Sequence, residues 1–409
     1  MSLLEGLELP KGLRPLPQAR PMGVLQIVPR MDHGGVERGV VDINRVLVAA
    51  GRRSVLATSG GRLCDRIIHD GGMVVSLPVH AKSPLIMLLN IWRLRRLIRT
   101  AAIDVVHVRS RAPALSAIVA ARWAGVPIVS TYHGVHAAKS ALKRAYNRIL
   151  TRVDRVMVNS RFTQAHVLQE HGTPRSRMRL APEAVDEARF TPAIMDPIAV
   201  EALRRSWSPD GRRILLCPGR LTRWKGQALL IEAFARAAPD DWRLVLVGDD
   251  QGRSAYRREL DQLAMRTGHG DLVHIAGDMD DMPLAYAACD AVALPSLKPE
   301  SFGRAAVEAQ LMARPVIAAD DGGFIETVTD GGVRLPPGDL EAWTHGLARF
   351  LAQRPQALTA LGQAGRYTVS GAYALATTAA ATLACYDEVV GENGGSSSEP
   401  LQVARALSS

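Results

Sequence analysis

Short apolar segments alternate with longer segments of helical periodicity along most of the chain. A buried strand of a parallel sheet is a short apolar run, and a helix that crosses back over the sheet follows it. Eleven runs are predicted as strands: 24–28, 54–58, 73–77, 104–108, 127–131, 155–159, 213–219, 243–248, 272–277, 291–295 and 315–319. This alternation predicts an α/β protein, and because the series restarts at 213 it predicts two doubly wound domains.

The predicted domain boundaries follow from the amino-acid composition of the segment between the two series of strands. A Pro-containing, acid-rich stretch over 191–201 is interpreted as a linker between a first domain over 21–190 and a second over 202–373. Residues 1–20 and the Gly/Ser-rich end over 391–409 are expected to be flexible.

The composition is that of a globular protein, with 47% hydrophobic residues among 409. Four cysteines without a C-x-x-C pair favour a reducing cytosol, and the N-terminus lacks the basic and apolar segments of an export signal. We therefore expect a cytoplasmic protein. The longest apolar run, Pro84 to Trp92, is far shorter than the about 20 residues that cross a bilayer.

Positive charge is concentrated in the first half of the chain. Residues 1–200 hold 29 Lys and Arg against 14 Asp and Glu, whereas residues 201–409 hold 21 against 26. Over residues 51–155 the count is 18 against 4. Such a density attracts phosphates, anionic lipid or nucleic acid, and a merely soluble basic surface is the alternative explanation.

The loops after the strands are where chemistry is expected, because ligands bind beyond the carboxyl ends of strands in open parallel sheets. Gly34 and Gly35 follow the first strand and precede a predicted helix, so the backbone there could approach a phosphate; a plain tight turn is the alternative. No G-x-G-x-x-G follows this strand, which argues against a nicotinamide or flavin enzyme. His133 follows the strand at 127–131, where its ring could contact a substrate.

The first strand of the second domain is followed by P-G-R-L-T-R-W-K-G. Its Arg220 and Lys225 could together neutralise a diphosphate without a metal, although two basic loop residues are often only solvated. Asp278 and Asp280 match the D-x-D metal motif of one class of sugar transferase, but short pairs of this kind arise by chance. We expect no metal site.

The segment P-E-S-F-G-R-A-A-V-E-A places Glu300 and Glu308 on either side of a turn at a predicted helix start. Backbone N–H groups near Phe302 and Gly303 could approach a phosphate there, and two carboxylates suit sugar and ribose hydroxyls. Glutamates near helix starts also serve as simple caps, which is the alternative.

These motifs, with G-G-V-E-R-G (34–39), V-N-S-R-F (158–162) and V-G-D (247–249), resemble those of retaining glycosyltransferases of family 4, which have the GT-B fold. The resemblance covers residues 22–390. It implies two Rossmann-like domains facing a central cleft, with a nucleotide-sugar donor bound mainly to the second domain and the acceptor mainly to the first. It also implies that the apolar pattern over 374–390 is a helix that returns to the first domain.

The resemblance also implies roles for the donor-side residues by position. Glu300 and the backbone of Phe302 and Gly303 would hold the hydroxyls of the donor sugar, and Glu308 would bind the ribose diol. This chain carries E-A-V-D over 183–186 where family members commonly carry Asn-Gly-Val-Asp, so the geometry of that segment is expected to differ.

The remaining implied roles concern the diphosphate and the reacting carbon. Arg220 and Lys225 would take the diphosphate, Gly34 and Gly35 would close over it, and His133 would touch the sugar near the reacting carbon. The expected activity is sugar transfer with retained configuration and with no metal or cofactor, to a glycolipid, lipopolysaccharide or other cell-envelope glycan.

Two alternatives come from different classes. A sugar-nucleotide epimerase on the same fold would release altered donor without any acceptor. A basic nucleic-acid-binding protein is suggested by the pI of about 9.8. Only 5% of residues are aromatic and no known nucleic-acid module is present, so no nucleic-acid partner is expected.

A basic amphipathic helix is predicted over 138–152. Apolar residues form one stripe of it, and Lys139, Lys143, Arg148 and Arg152 form another. The helix could lie on an anionic membrane at the acceptor side, or it could pack in the core with a solvated basic face. The surrounding excess of basic residues favours peripheral binding to the cytoplasmic face of a membrane.

Overall fold

The computed structural model describes residues 20–32, 34–135, 140–237, 240–250, 252 and 254–394. This part of the chain forms two parallel sheets with helices packed on them, which confirms the predicted α/β class and the two Rossmann-like domains.

The N-terminal sheet has seven strands, all paired in parallel. They are β1 (Gly23–Ile27), β2 (Arg53–Thr58), β3 (Met73–Ser76), β4 (Val105–Val108), β5 (Ile128–Tyr132), β6 (Arg155–Val158) and β7 (Met178–Leu180). Their order is β3-β2-β1-β4-β5-β6-β7. The helices of this domain are α1 (Gly35–Ala49), α2 (Cys64–His69), α3 (Pro84–Thr100), α4 (Arg111–Ala124), α5 (Ala141–Asn147) and α6 (Arg161–His171).

The C-terminal sheet has six parallel strands. They are β8 (Arg213–Pro218), β9 (Trp242–Val247), β10 (Val273–Gly277), β11 (Ala291–Leu294), β12 (Val316–Ala319) and β13 (Gly332–Leu335), in the order β10-β9-β8-β11-β12-β13. The helices that follow the interdomain segment are α7 (Pro197–Trp207), α8 (Gln227–Ala237), α9 (Ser254–Arg266), α10 (Met282–Ala288), α11 (Arg304–Leu311), α12 (Phe324–Thr327), α13 (Leu340–Leu351), α14 (Pro355–Val369) and α15 (Leu375–Gly394).

Sequence periodicity located eleven of these strands and missed β7 and β13. Both are edge strands, of three and four residues, with the sequences M-R-L and G-V-R-L. An edge strand is covered by fewer neighbours and needs no continuous apolar run, so it leaves a weak signal in the sequence.

The strand order reverses direction once in each sheet. The reversal lies between β1 and β4 in the N-terminal sheet and between β8 and β11 in the C-terminal sheet. At such a switch point the neighbouring connections leave toward opposite faces, and a crevice opens at the carboxyl ends of the strands. Gly34 follows β1 there, Arg220 follows β8, and Glu300 follows β11.

The C-terminal helix α15 packs on the N-terminal sheet. Its Leu383, Tyr386 and Val389 are buried in one cluster with Val24 of β1 and Met157 of β6. The Tyr386 hydroxyl is hydrogen-bonded to Nδ1 of His107 at 2.7 Å. The chain therefore crosses from the second domain back to the first before it ends.

The structure differs from three predicted boundaries. Helix α7 begins at Pro197, inside the linker predicted over 191–201, and the Asp196 side chain caps it by accepting from the Ile198 N–H. Helix α15 continues past 390 to Gly394, and the rest of the predicted tail lies outside the described residues. Residues 1–19 also lie outside them, whereas Arg20 pairs with Asp104 at 2.6 Å.

The amphipathic helix predicted over 138–152 is not continuous. Helix α5 ends at Asn147, and a 3-10 turn over Arg148–Thr151 follows. Asn147 is buried and accepts a hydrogen bond from Arg111, and Leu150 belongs to the core, so the chain turns inward there. Lys139 lies outside the described residues. The other basic side chains of the predicted stripe are exposed: Lys143, Arg148 and Arg152.

Candidate active site

Lys225 and Glu300 form an ion pair beyond the carboxyl edge of the C-terminal sheet. Lys225 ends a 3-10 turn after β8, and its Nζ donates to Oε1 of Glu300 at 2.5 Å. The Ser296 hydroxyl donates to the same oxygen at 2.8 Å. Both charged side chains are largely buried, at 21% and 15% exposed. A cation and a carboxylate predicted for separate roles are therefore held together.

The glycines around this pair make the close approach possible. Gly226, directly after Lys225, has a left-handed φ of 77°, and a Cβ there would lie 1.9 Å from the carbonyl oxygen of Pro295. Only glycine lets the β8 loop close on the β11 loop in this way. The neighbouring Arg223 points elsewhere and pairs with Glu259 at 2.6 Å, and Arg220 is exposed.

Gly303 is the N-cap residue of helix α11, which begins at Arg304, close to the start that the sequence predicts for the P-E-S-F-G segment. Gly303 has a φ of 89°, and a Cβ there would come within 2.6 Å of the Phe324 ring. Phe302 is buried and packs edge-on against Tyr373, with ring centroids 5.2 Å apart. The first N–H groups of a helix lack partners within the helix and favour an anion, so this rigid turn is suited to a diphosphate.

Glu308 is buried one helical turn beyond Arg304, and both of its oxygens are bonded. Oε1 accepts from Nε of Arg304 at 2.9 Å, and Oε2 accepts from the Tyr286 hydroxyl at 3.2 Å. Burial, with the Glu308 charge beside it, raises the pKa of Tyr286, so the hydroxyl remains a donor. The ribose role of Glu308 stays a prediction, and it requires one of these bonds to be exchanged for a ribose hydroxyl.

His133 follows β5 and faces Glu183, which follows β7. Nδ1 of His133 lies 3.9 Å from Oε1 of Glu183, within ion-pair range but beyond a hydrogen bond. Neither ring nitrogen of His133 has a hydrogen-bond partner among the described residues. Burial lowers the pKa of His133, so the ring is neutral at pH 7.

Glu183 is ionised in this setting. Burial alone would raise the pKa of its carboxyl group, but His133, Arg304 and a hydrogen bond from Asn159 lower it below its ordinary value. Arg304 reaches across from the second domain, where its Nη1 donates to the carbonyl of Ala184 at 2.9 Å. A carboxylate from one domain and a guanidinium from the other therefore meet in the cleft.

A small pocket, open to solvent, lies between the two domains at this point. Gly35, Arg109, His133, Glu183 and Arg304 are among the residues that line it. A Cβ at Gly35 would lie 3.5 Å from Oε2 of Glu183, so the start of α1 borders the same space. Two sequence-predicted residues, Gly35 and His133, are thus brought together. The Lys225–Glu300 pair is not in this lining.

The V-N-S-R-F segment joins the two domains. Asn159 donates to the Ser301 hydroxyl at 3.3 Å, and the Ser160 hydroxyl donates to the Ser301 carbonyl. The N–H groups of Arg161 and Phe162 donate to the two carboxylate oxygens of Glu326 at 3.0 and 2.8 Å. These contacts hold the first domain against the loop that carries Glu300.

The loop of His133 also faces this region. A Cβ at Gly134 would lie 3.9 Å from the Ser301 side chain. The loop that carries His133 therefore lies close in space to the donor-side turn, although β5 and β11 belong to different sheets.

Sequence reasoning missed Glu183, Arg304 and the joining role of Asn159. Glu183 follows an edge strand that periodicity did not detect, so its place at a carboxyl edge was not visible. Arg304 had a readable signal, because residues four apart on a helix face each other and Arg304 precedes Glu308 by that spacing.

In the D-M-D segment, Asp280 pairs with an arginine of the first domain. Oδ1 of Asp280 lies 3.6 Å from Nη2 of Arg62, which belongs to the other domain. Across the described ranges, no group of three or more His, Cys, Asp or Glu side chains is arranged to hold a metal.

Two family models match the chain. The one described as Glycosyltransferase Family 4 matches residues 33–189, and the one described as Glycosyl transferases group 1 matches residues 200–368. The two matches fall on the N-terminal and C-terminal domains respectively.

Named relatives agree with these matches. The D-inositol 3-phosphate glycosyltransferase of Salinispora arenicola is 31% identical over 303 residues, which cover 68% of this chain and 67% of that protein. The GDP-mannose-dependent alpha-(1-6)-phosphatidylinositol monomannoside mannosyltransferase of Mycolicibacterium smegmatis is 31% identical over 67% of this chain and 74% of that protein. A Salinispora tropica relative is matched over only 52% of its length, so the alignments span about half to three quarters of these relatives.

Solved structures share the two-domain architecture. A glycosyltransferase from Rickettsia africae superimposes with a TM-score of 0.83 at 27% identity, covering 90% of this chain and 99% of that chain. HepE from Anabaena, solved in complex with UDP and glucose, has a TM-score of 0.78 at 24% identity, covering 89% of this chain and 99% of that chain. At this identity the similarity is evidence for the fold only. The matches to both domains and the relatives together show that this chain belongs to the family 4 glycosyltransferases with the GT-B fold, and that it is a glycosyltransferase.

Proposed function

We propose that this glycosyltransferase moves a sugar from a nucleotide diphosphate to a cell-envelope acceptor, with retained anomeric configuration and without a metal. The observation that carries the proposal is the Lys225–Glu300 pair, held at 2.5 Å beside the rigid start of α11. It combines a cation for a diphosphate with a carboxylate for sugar hydroxyls at the switch point of the second sheet.

Charge separation in the reaction matches these groups. When the anomeric C–O bond breaks, positive charge develops on the sugar ring and negative charge on the departing diphosphate. Lys225, Arg220 and the N–H groups at the start of α11 stabilise the diphosphate, and Gly34 and Gly35 close over it from the first domain. No metal is then required to neutralise the leaving group.

Retention follows if the acceptor attacks from the face that the diphosphate leaves. The acceptor hydroxyl forms the new bond to the anomeric carbon, and its proton passes to the departing diphosphate oxygen. Glu183, an ionised carboxylate in the cleft, stabilises the positive charge on the ring, and the neutral His133 contacts the sugar near the reacting carbon.

The acceptor is proposed to be a glycolipid, lipopolysaccharide or other envelope glycan. Support comes from the phosphatidylinositol monomannoside in the name of the M. smegmatis relative. The cysteines at 64, 217, 289 and 385 are free thiols, which supports a cytoplasmic location. No described helix has the length and apolar character needed to cross a bilayer.

The proposal is tested with purified protein, a panel of radiolabelled nucleotide-sugars and membrane extract. We expect label from one donor to enter an extractable product, with the same anomeric configuration as the donor by NMR. EDTA should leave the rate unchanged, and Glu300→Gln should lower it.

Three results would contradict parts of the proposal. An inverted product would exclude the retaining step, and loss of activity in EDTA with recovery in manganese would exclude metal independence. Conversion of the donor to another sugar nucleotide without acceptor would identify an epimerase instead.

A further inference from the structure

Helices α3 and α4 expose a group of large apolar side chains on the outer surface of the N-terminal domain. We name it the α3–α4 patch; its members, between 47% and 73% exposed, are Leu85, Leu88, Leu89 and Trp92 of α3 and Leu115 and Trp123 of α4. The rings of Trp92 and Trp123 touch edge to face, with centroids 5.6 Å apart, so the two helices share one surface. Exposed apolar groups on this scale mark interaction surfaces.

Helix α3 has apolar side chains on two opposite sides. Ile91, Leu94 and Ile98 are buried and hold the helix against the sheet. On the opposite side, the apolar run from Pro84 to Trp92 continues into solvent. The inward face supplies the packing that holds α3 on the sheet, so within the part of the chain that the structure describes the outward leucines are not needed for that packing.

Arginines surround the patch. Arg93, Arg96 and Arg99 are exposed on the second half of α3, and the guanidinium of Arg95 lies 5.8 Å from the Trp92 ring centroid. Between Asp70 and Asp154 the sequence has 13 Lys and Arg and a single acid, Asp104. That acid is paired with Arg20, so the rim carries positive charge without local compensation.

The topology places one end of the patch on the cleft side of the N-terminal sheet. Helix α3 begins after β3, so Leu85 and Leu88 lie toward the carboxyl edge of the N-terminal sheet. The loops of Gly34 and His133 leave from the same edge. A surface bound at the start of α3 would therefore lie next to the cleft where the acceptor enters.

We infer that the α3–α4 patch docks this protein on an anionic lipid bilayer, with Leu85, Leu88 and Trp92 entering the headgroup region and the arginines contacting lipid phosphates. An apolar, tryptophan-containing helix face bordered by arginines matches the chemistry of that interface. A second copy of the chain fits less well, because a two-fold contact through the patch would place the arginine rims of two copies against each other. The inference rests on the proposed function, because a glycolipid acceptor would be presented at such a bilayer. The patch is a different surface from the one that carries Lys143, Arg148 and Arg152.

The test is sedimentation with vesicles of phosphatidylcholine alone or mixed with phosphatidylglycerol, at low and high salt. We expect wild-type protein to sediment with the anionic vesicles and to be released by salt. Leu88→Gln with Trp92→Gln should reduce binding at least about tenfold. Arg96→Gln with Arg99→Gln should reduce it by about fivefold for each arginine replaced. All four side chains are exposed, so folding should be preserved, which circular dichroism checks.

Two controls assign the binding to the patch. Ile198→Gln changes an exposed apolar side chain of the second domain and should bind like wild type. The triple change Lys143→Gln, Arg148→Gln, Arg152→Gln should lower binding less than the α3 changes. Absence of binding to anionic vesicles, unchanged binding of the Leu88/Trp92 variant, or a larger loss in the triple variant would overturn the inference.

A dimer in the absence of lipid, abolished by the Leu88/Trp92 change, would assign the patch to a second copy and would also overturn it. Because these readouts measure binding and not transfer, they are independent of the proposed reaction. A protein that transfers sugar but does not bind vesicles would contradict the inference alone.

Discussion

Lys225 donates a hydrogen bond to Glu300 over 2.5 Å, and each residue comes from a different loop of the C-terminal sheet. A cation so placed fixes the rotamer of the carboxylate before any donor binds. The pair therefore prepares two binding functions, one for phosphate and one for sugar hydroxyls, at a single point. Removing either partner leaves the other largely buried without its counter-charge.

Replacing Lys225 with Ala should reduce kcat/KM by about 100-fold or more, because a charge-assisted contact to the leaving group is lost. Arg220→Ala should have a similar effect. The matched control is Arg223→Ala in the same turn, whose pair with Glu259 is exposed, so it should retain activity within about twofold. Steady-state kinetics with circular dichroism checks this. Equal activity in the Lys225 and Arg223 variants would remove the diphosphate assignment.

Glu300→Gln and Glu308→Gln should differ in their kinetics. Glu300→Gln should lower kcat, because the side chain is assigned to the reacting sugar, whereas Glu308→Gln should mainly raise KM for the donor through the ribose. Glu308→Gln should also lower the free energy of unfolding by about 1–3 kcal/mol, since Arg304 loses its charged partner. Initial rates over donor concentration and thermal unfolding separate the effects. A reversed ranking would require the two roles to be exchanged.

Glu183→Gln should lower kcat while leaving donor KM nearly unchanged, because its charge acts on the ring in the transition state. It should also lower the pKa of His133 further, since Glu183 opposes the effect of burial on that ring. NMR titration of the histidine ring protons measures this shift. An unchanged titration of His133 would show that the 3.9 Å separation carries no electrostatic coupling.

Stability should fall as pH falls below about 6.5, the ordinary pKa of histidine. His107 is fully buried between Tyr386 and Thr131, and burial lowers its pKa well below 6.5. The unfolded chain therefore takes up a proton before the folded one does, which costs up to about 1.4 kcal/mol per pH unit. Above about pH 6.5 the His107 ring is neutral in both the folded and the unfolded chain, so this loss of stability is absent.

Denaturant unfolding between pH 7.5 and 5 checks this. His107→Gln should show a shallower loss than wild type, and the difference between the two slopes isolates His107 from the other buried histidines. Parallel slopes would contradict the assignment.

Glu326→Gln should loosen the contact between the two domains. Its carboxylate accepts two N–H groups at the start of α6, and each such bond to a charged group contributes about 1.5–3 kcal/mol. We expect a larger radius of gyration by X-ray scattering and a higher donor KM. Glu341→Gln, which breaks an exposed pair within the second domain, is the control and should change neither quantity.

The amino-acid sequence by itself determined the class of fold. Strands buried on both faces of a parallel sheet read as short apolar runs, so eleven strands and the two-domain series were visible without a structure. The turn at Gly303 was predicted too, and the left-handed backbone found there is one that glycine adopts without strain. The resemblance to the family rested on motifs such as the P-E-S-F-G segment and the R-x₄-K spacing of the β8 loop.

Only the tertiary structure decided which residues meet. The pairing of Lys225 with Glu300 and the approach of Glu183 to His133 depend on how loops from separate strands converge, and sequence spacing does not contain that distance. The sequence likewise showed apolar residues over 84–92 and 138–152, but it could not show that Leu150 turns into the core while Leu88 faces solvent. Burial is a property of the neighbours that cover a side chain, and those neighbours come from distant parts of the chain.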